Sequence, residues 1–395
     1  MLSEFDKALD RTNTNCEKWD NLMEVFGRDD VVPLWVADMD FASPPEIVAA
    51  LAERVQHPTY GYTFASQSLR EAAAGWVERR YGWEISPEWV VITPGVIPGL
   101  AMSVLAYTQP GDGVIVQSPV YPPFFEVVED NGRRVLNNEL KIVDGRYAMD
   151  WDDLQAKLDD GARLVLLCSP ANPVGRVWTD DELARLSSMC APREVIVASD
   201  EIHCDIVYPG AMHIPFGSVG QGAANRSVTL MAPSKTFNVQ GLATSIAVIP
   251  NERLRDRFVR VRTGLGLGQG NVFGLAALEA GYGEGNAWLD RAVKYLEGNL
   301  RYLQDFAKSR LPGITVAPAE GMYVVWMDCR RLGRRFGLDA DGLGDFFVNR
   351  ARVGLSDGRM FGPGGEGFFR INIGCPRATL KEGLERIAEA IALGP

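Results

Sequence analysis

The stretch Ser227–Gly241, SVTLMAPSKTFNVQG, decides how the rest of the chain is read. It opens on the apolar run Val228–Met231, which has the length and the polar flanks of a buried strand. Ala232-Pro233 ends the run, and Ser234 and Lys235 follow. A lysine at the end of a buried strand sits where the field of a cleft depresses its pKa below the reference value of about 10.4. Such a lysine is a free amine, and therefore a nucleophile toward a carbonyl. A solvated loop lysine is the commoner occupant of such a position. The assignment therefore depends on what the neighbouring strand ends carry.

Working upstream, short apolar runs alternate with helical stretches. Strands are expected at Trp89–Thr93, Val114–Gln117, Arg163–Cys168 and Glu194–Ala198. Helices are expected over Pro98–Tyr107 and Pro123–Asn131, and from the capping box Thr179-Asp-Asp-Glu182 to about Met189. Near-continuous apolar strands alternating with helices define an α/β class, a mainly parallel sheet covered on both faces. Ligands of such sheets bind outside the carboxyl ends of the strands. Asn172, Asp200 and Lys235 all lie just past such ends.

The flanks read differently. Residues 1–42 are irregular, with Trp19, Trp35 and Phe41 as anchors. Ser43-Pro-Pro-Glu46 has the form of a capping box opening a helix from Pro44 to about Gln56, and a second helix covers Ser68–Tyr81. After Asn251 come a charged helix at Glu252–Arg262, the glycine-rich GLGLGQG of Gly264–Gly270, and helices over Val272–Gly281 and Trp288–Arg310. Gly321–Asp328, Gly367–Ile373 and a capped helix at Thr379–Leu393 suggest a smaller α+β domain. The expected organisation is an N-terminal segment, 1–42, packing with the small domain; a large domain, 43–289; and a small domain, 290–395.

Bulk properties exclude several classes. The chain has 395 residues, enough for two or three domains and a large core. A net charge of −11, from 40 basic and 51 acidic residues, argues against a nucleic-acid surface. No apolar run approaches a membrane span, and the charged N-terminus lacks a signal-peptide core. Six cysteines without a CxxC motif and three histidines without zinc spacing point to a reduced, cytoplasmic protein with no metal site.

Several residues are candidates for chemistry. Gly95-Val96-Ile97 precede a helix, and free N–H groups at a helix start suit a phosphate. The 264–270 loop follows a helix rather than a strand, which fails the dinucleotide fingerprint; it reads as a helix–helix connection near an interface. Tyr121 is either a stacking platform for a flat ring or a packed aromatic. Asp200, at the rim of a buried strand, needs a partner: a ring nitrogen or a nearby turn. His203 either bonds that aspartate or packs. Asn172, between two prolines, donates to a ring oxygen or closes an Asx turn. Together these are an amine for a Schiff base, a carboxylate for a pyridinium, an amide for a phenolic oxygen, an aromatic and an anion site. Pyridoxal 5'-phosphate requires that set.

The chain also resembles the fold-type I pyridoxal-phosphate enzymes, and within them the MalY/PatB cystathionine β-lyase (C–S lyase) group. The segments that carry the resemblance are RTNTNCEKWD (Arg11–Asp20), PLWVADMDFASPP (Pro33–Pro45), YGYT (Tyr60–Thr63), SPVYPPF (Ser118–Phe124), LLCSPANPVGRVWT (Leu166–Thr179), SDEIHCDIV (Ser199–Val207), SKTFN (Ser234–Asn238) and FRINIGCPR (Phe369–Arg377). The resemblance implies that Lys235 is the Schiff-base lysine, Asp200 pairs the pyridine nitrogen, Asn172 meets the ring oxygen and Tyr121 stacks. It implies phosphate contacts from Gly95, Val96, Ile97 and Ser234, and from Tyr62 of the other subunit of a homodimer with a shared site. Arg370 is implied to clamp the substrate carboxylate, with Trp35 and Tyr323 among the pocket walls. Two departures from the wider aminotransferase pattern stand out. Gly241-Leu242-Ala243-Thr244 carries no arginine for the phosphate, and His203 stands where tyrosine is common.

The expected function is thus α,β-elimination of an S-substituted cysteine to thiol, pyruvate and ammonia. An aminotransferase, or a regulatory ligand-binding protein on the same fold, are the alternatives. Lys235, Asp200, Asn172 and Arg370 together disfavour the last, since a silent fold needs none of them.

Overall fold

The computed structural model describes residues 3–394. A seven-stranded sheet forms its centre, from strands β1 (Val90–Thr93), β2 (Gly113–Val116), β3 (Arg134–Asn137), β4 (Leu164–Cys168), β5 (Ile196–Asp200), β6 (Ser227–Met231) and β7 (Ser245–Val248). Their spatial order is β1-β7-β6-β5-β4-β2-β3. All pairings are parallel except those of β7, which runs antiparallel to both β1 and β6. Every residue of β4, β5 and β6 is buried, as strands covered on both faces require. In register, Cys168 lies beside Asp200, and Asp200 beside Leu230. That register brings the carboxyl ends of β4, β5 and β6 to one rim.

Helices cover both faces. The helix Val96–Tyr107 packs so closely on β6 that a Cβ on Gly99 would lie 2.6 Å from Leu230 Cδ2. A second, four-stranded antiparallel sheet is built from Thr315–Val316, Val324–Asp328, Phe368–Asn372 and Ser356–Asp357. The long helix Asn286–Arg310 leads from the first layer system toward this sheet, and its buried face, including Leu289, Leu296 and Leu303, shares one core with Ile92 and Ile371.

Several expected boundaries shift. Ser43 does not cap its helix. The helix is Pro45–Gln56 with Pro44 at the cap, and the Ser43 hydroxyl donates to the Asn238 carbonyl instead. The C-terminal helix, Arg377–Leu393, starts after Pro376 without a side-chain cap. The capping box at Thr179 and Glu182 is formed. The helix after β1 begins at Val96, two residues before Pro98, which places Gly95 at its N-cap. Strands β3, RVLN, and β7, SIAV, lie outside the expected strands.

The N-terminal segment is tied down rather than loose. Val32 and Pro33 pair in parallel with Val353 and Gly354. Lys18 is fully buried, with its ammonium 2.6 Å from Asp40. Arg11 contacts both Asp38 and Asp40, at 2.6 and 2.7 Å, and the Trp19 indole N–H donates to Asp40. A buried charge is tolerable only when paired and hydrogen-bonded. The conspicuous motif residues of 11–20 and 33–41 therefore build an ionic knot.

Candidate active site

The rim of β4, β5 and β6 opens on a cavity of about 520 Å³. Of the residues singled out from sequence, the cavity is lined by Trp35, Gly95, Val96, Ile97, Tyr121, Asn172, Asp200, His203, Ser234, Lys235 and Arg370. They come from seven separate stretches, so the sheet topology, not sequence proximity, assembles them.

Lys235 lies on the short helix Pro233–Phe237 that follows β6, not in a loop. Its ammonium donates to the Ala37 carbonyl at 2.5 Å. Burial, reinforced by the positive charge of Arg370, lowers its pKa to about 8; Asp38 and Asp200 oppose the shift. Asp200 is the last residue of β5 and is itself buried. One carboxylate oxygen accepts the Ile202 N–H at 3.0 Å. Burial nevertheless pushes the carboxyl up to about 7. A carboxylate so placed, with little internal compensation, is matched to a cation entering the cavity.

Arg370 projects from the strand Phe368–Asn372 of the second sheet. Its guanidinium donates to Asn172 Oδ1 (3.1 Å), the Trp35 carbonyl (3.1 Å) and Ser356 Oγ (3.2 Å), and it lies over the Phe361 ring. Its Nε is buried without a partner among the described residues. Asn172 is held from both sides, since its own N–H donates to Cys168 Sγ. Gly95 has φ of +134°, a conformation glycine adopts without strain, and it directs the helix start into the cavity.

Other expectations resolve differently. His203 makes no bond to Asp200. It stands edge-on to Tyr323, its Nδ1 is buried with no partner among the described residues, and burial keeps it well below the usual imidazole range. Tyr323 is wholly buried and is not on the cavity surface; its hydroxyl donates to the Ala37 carbonyl at 3.0 Å. It therefore supports the wall rather than forming it. Tyr62 is fully exposed and lies outside the chain's own cavity. Glu17, Gln240, Thr244, Ser356 and Met360 also line the cavity and were not singled out. Thr244 belongs to the segment where an arginine was missing; nothing in the local pattern marked the others. Among the described residues, no group of acidic, histidine or cysteine side chains is arranged to hold a metal.

This arrangement defines a class: an α/β enzyme with a buried amine and a buried carboxylate at neighbouring strand ends, and an arginine reaching in from a second sheet. The model of the aminotransferase class I and II family matches residues 29–387, and the chain belongs to that family. It is 43% identical to cystathionine beta-lyase PatB of Bacillus subtilis (strain 168) over 389 residues, 98% of this chain and all of that protein. It superposes with a TM-score of 0.95, at 38% identity, on a PLP-bound putative aminotransferase from Clostridium difficile 630, over 99% of this chain and 100% of that one. Cystalysin from Treponema denticola, containing pyridoxal 5'-phosphate, superposes at 0.94 with 35% identity, over 99% of both chains.

Proposed function

We propose that this chain is a pyridoxal-5'-phosphate-dependent carbon–sulfur β-lyase, which converts an S-substituted cysteine such as cystathionine to a thiol, pyruvate and ammonia. The observation that carries the reading is the pair Lys235 and Asp200: an amine lowered to about 8 and a carboxyl raised to about 7, on one cavity. The cofactor fits what the chain leaves open. Asp200 awaits a cation, the Asn172 amide NH2 has no partner among the described residues, and a helix N-terminus faces the cavity at Gly95. The names of PatB and cystalysin's cofactor support the same reading.

When bound, the cofactor supplies an electron sink for charge developing at the substrate Cα. Asp200 would pair with the ring nitrogen, Asn172 would donate to the ring oxygen, and Tyr121 would pack against the ring. The backbone N–H groups of Gly95, Val96 and Ile97, with the Ser234 hydroxyl, would hold the phosphate. Arg370 takes the substrate carboxylate bidentately, its plane set by Trp35, Ser356 and Asn172. Lys235 removes the Cα proton, as a base with a pKa near working pH does best. The Cα–H and Cβ–S bonds break, a Cα=Cβ bond forms, and Lys235 returns the proton to the departing sulfur. Water then converts the enamine product to pyruvate and ammonia.

The reading extends to assembly and setting. We place residues 43–289 in a large cofactor domain and 290–395 in a small one, with 1–42 packing on the latter. Two copies share each site, Tyr62 of one reaching the phosphate of the other; its complete exposure outside its own cavity supports this. All six cysteines are unpaired, which suits the cytoplasm. Among the described residues, no helix is long and apolar enough to cross a membrane.

The family's own name makes an aminotransferase the second reading. Incubation with cystathionine alone separates the two. Homocysteine, pyruvate and ammonia appear without an added 2-oxo acid if the chain is a lyase. A requirement for a 2-oxo acid, with no thiol released, sinks the lyase and leaves the aminotransferase.

A further inference from the structure

The charged side chains lining the cavity are Glu17, Asp200, Lys235 and Arg370. The last three have roles in the reaction just described. Glu17 has none. A carboxylate repels both the phosphate and the substrate carboxylate, so it serves neither end of the chemistry.

Its placement is built rather than incidental. Glu17 begins the short helix Glu17–Asp20, and the ionic knot fixes that helix. The Asp20 carboxylate accepts the N–H groups of Asn13, Thr14 and Cys16 at 2.8, 3.0 and 2.9 Å. The next residue, Lys18, is buried on Asp40, and its carbonyl accepts the Trp35 indole N–H at 3.2 Å. Trp35 in turn offers its own carbonyl to Arg370. One residue thus connects the guanidinium to the backbone beside Glu17. The Glu17 carboxylate itself is exposed. Its only partner among the described residues is the Asn21 amide, at 3.0 Å, and it forms no ion pair.

Besides Arg370, the cavity wall carries the Trp35 ring and the Met360 thioether, apolar surface suited to a sulfur-containing chain. Glu17 lines the same cavity as these residues and offers an exposed carboxylate there. We propose that Glu17 selects, among S-substituted cysteines, those whose leaving thiol carries an ammonium group. The proposal rests on the reading of the cavity as the site of an S-substituted cysteine, and it names the substrate class that reading left open.

Two nearly isosteric amino acids test it: S-(2-aminoethyl)-L-cysteine, with a distal ammonium, and S-propyl-L-cysteine, without one. Consumption of each is followed for the holoenzyme, so the result does not depend on whether elimination or transamination follows. Apparent affinities are read in parallel from cofactor absorbance. The wild-type ratio of kcat/KM favours the amine by roughly two- to fivefold, the range of a solvent-exposed ion pair, and more at low salt. Glu17→Gln lowers the ratio by about that factor and removes the amine's advantage in apparent affinity. Glu17→Lys turns the preference toward S-(2-carboxyethyl)-L-cysteine. A ratio that Glu17→Gln leaves unchanged, or an affinity advantage of the amine that survives it, overturns the proposal. A Glu17-dependent preference without thiol release upholds the proposal and overturns the lyase reading alone.

Discussion

Lys235 and Tyr323 donate to the same oxygen, the carbonyl of Ala37. A carbonyl oxygen has two lone pairs, so both bonds are satisfied at once. The two donors have unequal consequences. Lys235 faces the cavity and Tyr323 stands behind it. Lys235→Ala abolishes the borohydride-reducible linkage to pyridoxal phosphate and lowers turnover by about 10²-fold or more, the weight of a positioned base. Tyr323→Phe keeps the linkage and costs roughly a factor of two to ten in kcat, one neutral hydrogen bond's worth, with KM unchanged. Mass spectrometry after borohydride reduction checks the first. A variant that still forms the reducible adduct refutes Lys235. A large rise in KM for Tyr323→Phe returns that residue to the substrate wall.

Asp200 yields a prediction on stability. Its carboxyl is pushed up to about 7 by burial, against an ordinary value of 3.8. Between those values the unfolded chain has already lost the proton that the folded chain keeps. Stability of the cofactor-free protein therefore falls as pH rises from about 4 to 7, and the penalty is complete above 7. Asp200→Asn removes it. At pH 8 the cofactor-free variant melts at least about 2 °C above the cofactor-free wild type, whereas at pH 4 the two converge. Added cofactor raises the melting temperature of the wild type more than that of the variant, because only the wild type gains a charge partner. Thermal melts at the two pH values, with and without cofactor, decide it. A variant less stable at pH 8 contradicts the account.

The sheet and the chemistry at its rim were legible in sequence because both are local signals. Buried parallel strands appear as short apolar runs, and Asn172, Asp200 and Lys235 stand at or within four residues of their ends. What escaped was set by packing at a distance. Ser43 prefers the Asn238 carbonyl, nearly two hundred residues away, over its own helix. Tyr323 turns to Ala37 because the second sheet carries it behind the N-terminal segment. Glu17 reaches the cavity only because Lys18 and Asp20 fix the helix they share with it. No spacing rule along the chain reveals such contacts.

Assembly is tested by complementation. Tyr62 is exposed on a loop whose neighbours Tyr60 and Phe64 are also exposed, and it does not touch its own chain's cavity. If each site borrows Tyr62 from the other copy, a Tyr62→Ala subunit and a Lys235→Ala subunit form a hybrid with one intact site. Refolding or exchanging an equimolar mixture recovers up to about a quarter of wild-type sites, the share expected from random pairing in a two-fold dimer. Each variant alone is impaired. A monomer with full activity in sedimentation, or a mixture no better than its parts, rules the shared site out.

The last prediction follows the amine itself. Capture of pyridoxal phosphate requires Lys235 without its proton, and burial with the nearby Arg370 charge lowers its pKa to about 8. A lowered lysine pKa means that the neutral amine predominates above that value, well before an ordinary lysine near 10.5 would release its proton. The rate of cofactor uptake by the cofactor-free protein therefore rises with pH through about 8 and levels off above it. Arg370→Met removes a neighbouring positive charge that disfavours the ammonium, so its midpoint moves upward and uptake at pH 7.5 slows. The opposite change, removing the negative charge of Asp38 by Asp38→Asn, moves the midpoint down, because Asp38 holds the proton on. Stopped-flow absorbance at a series of pH values reads all three proteins. A wild-type rate still climbing through pH 10, or shifts of the same sign in both variants, shows that the environment of Lys235 does not set its reactivity in this way.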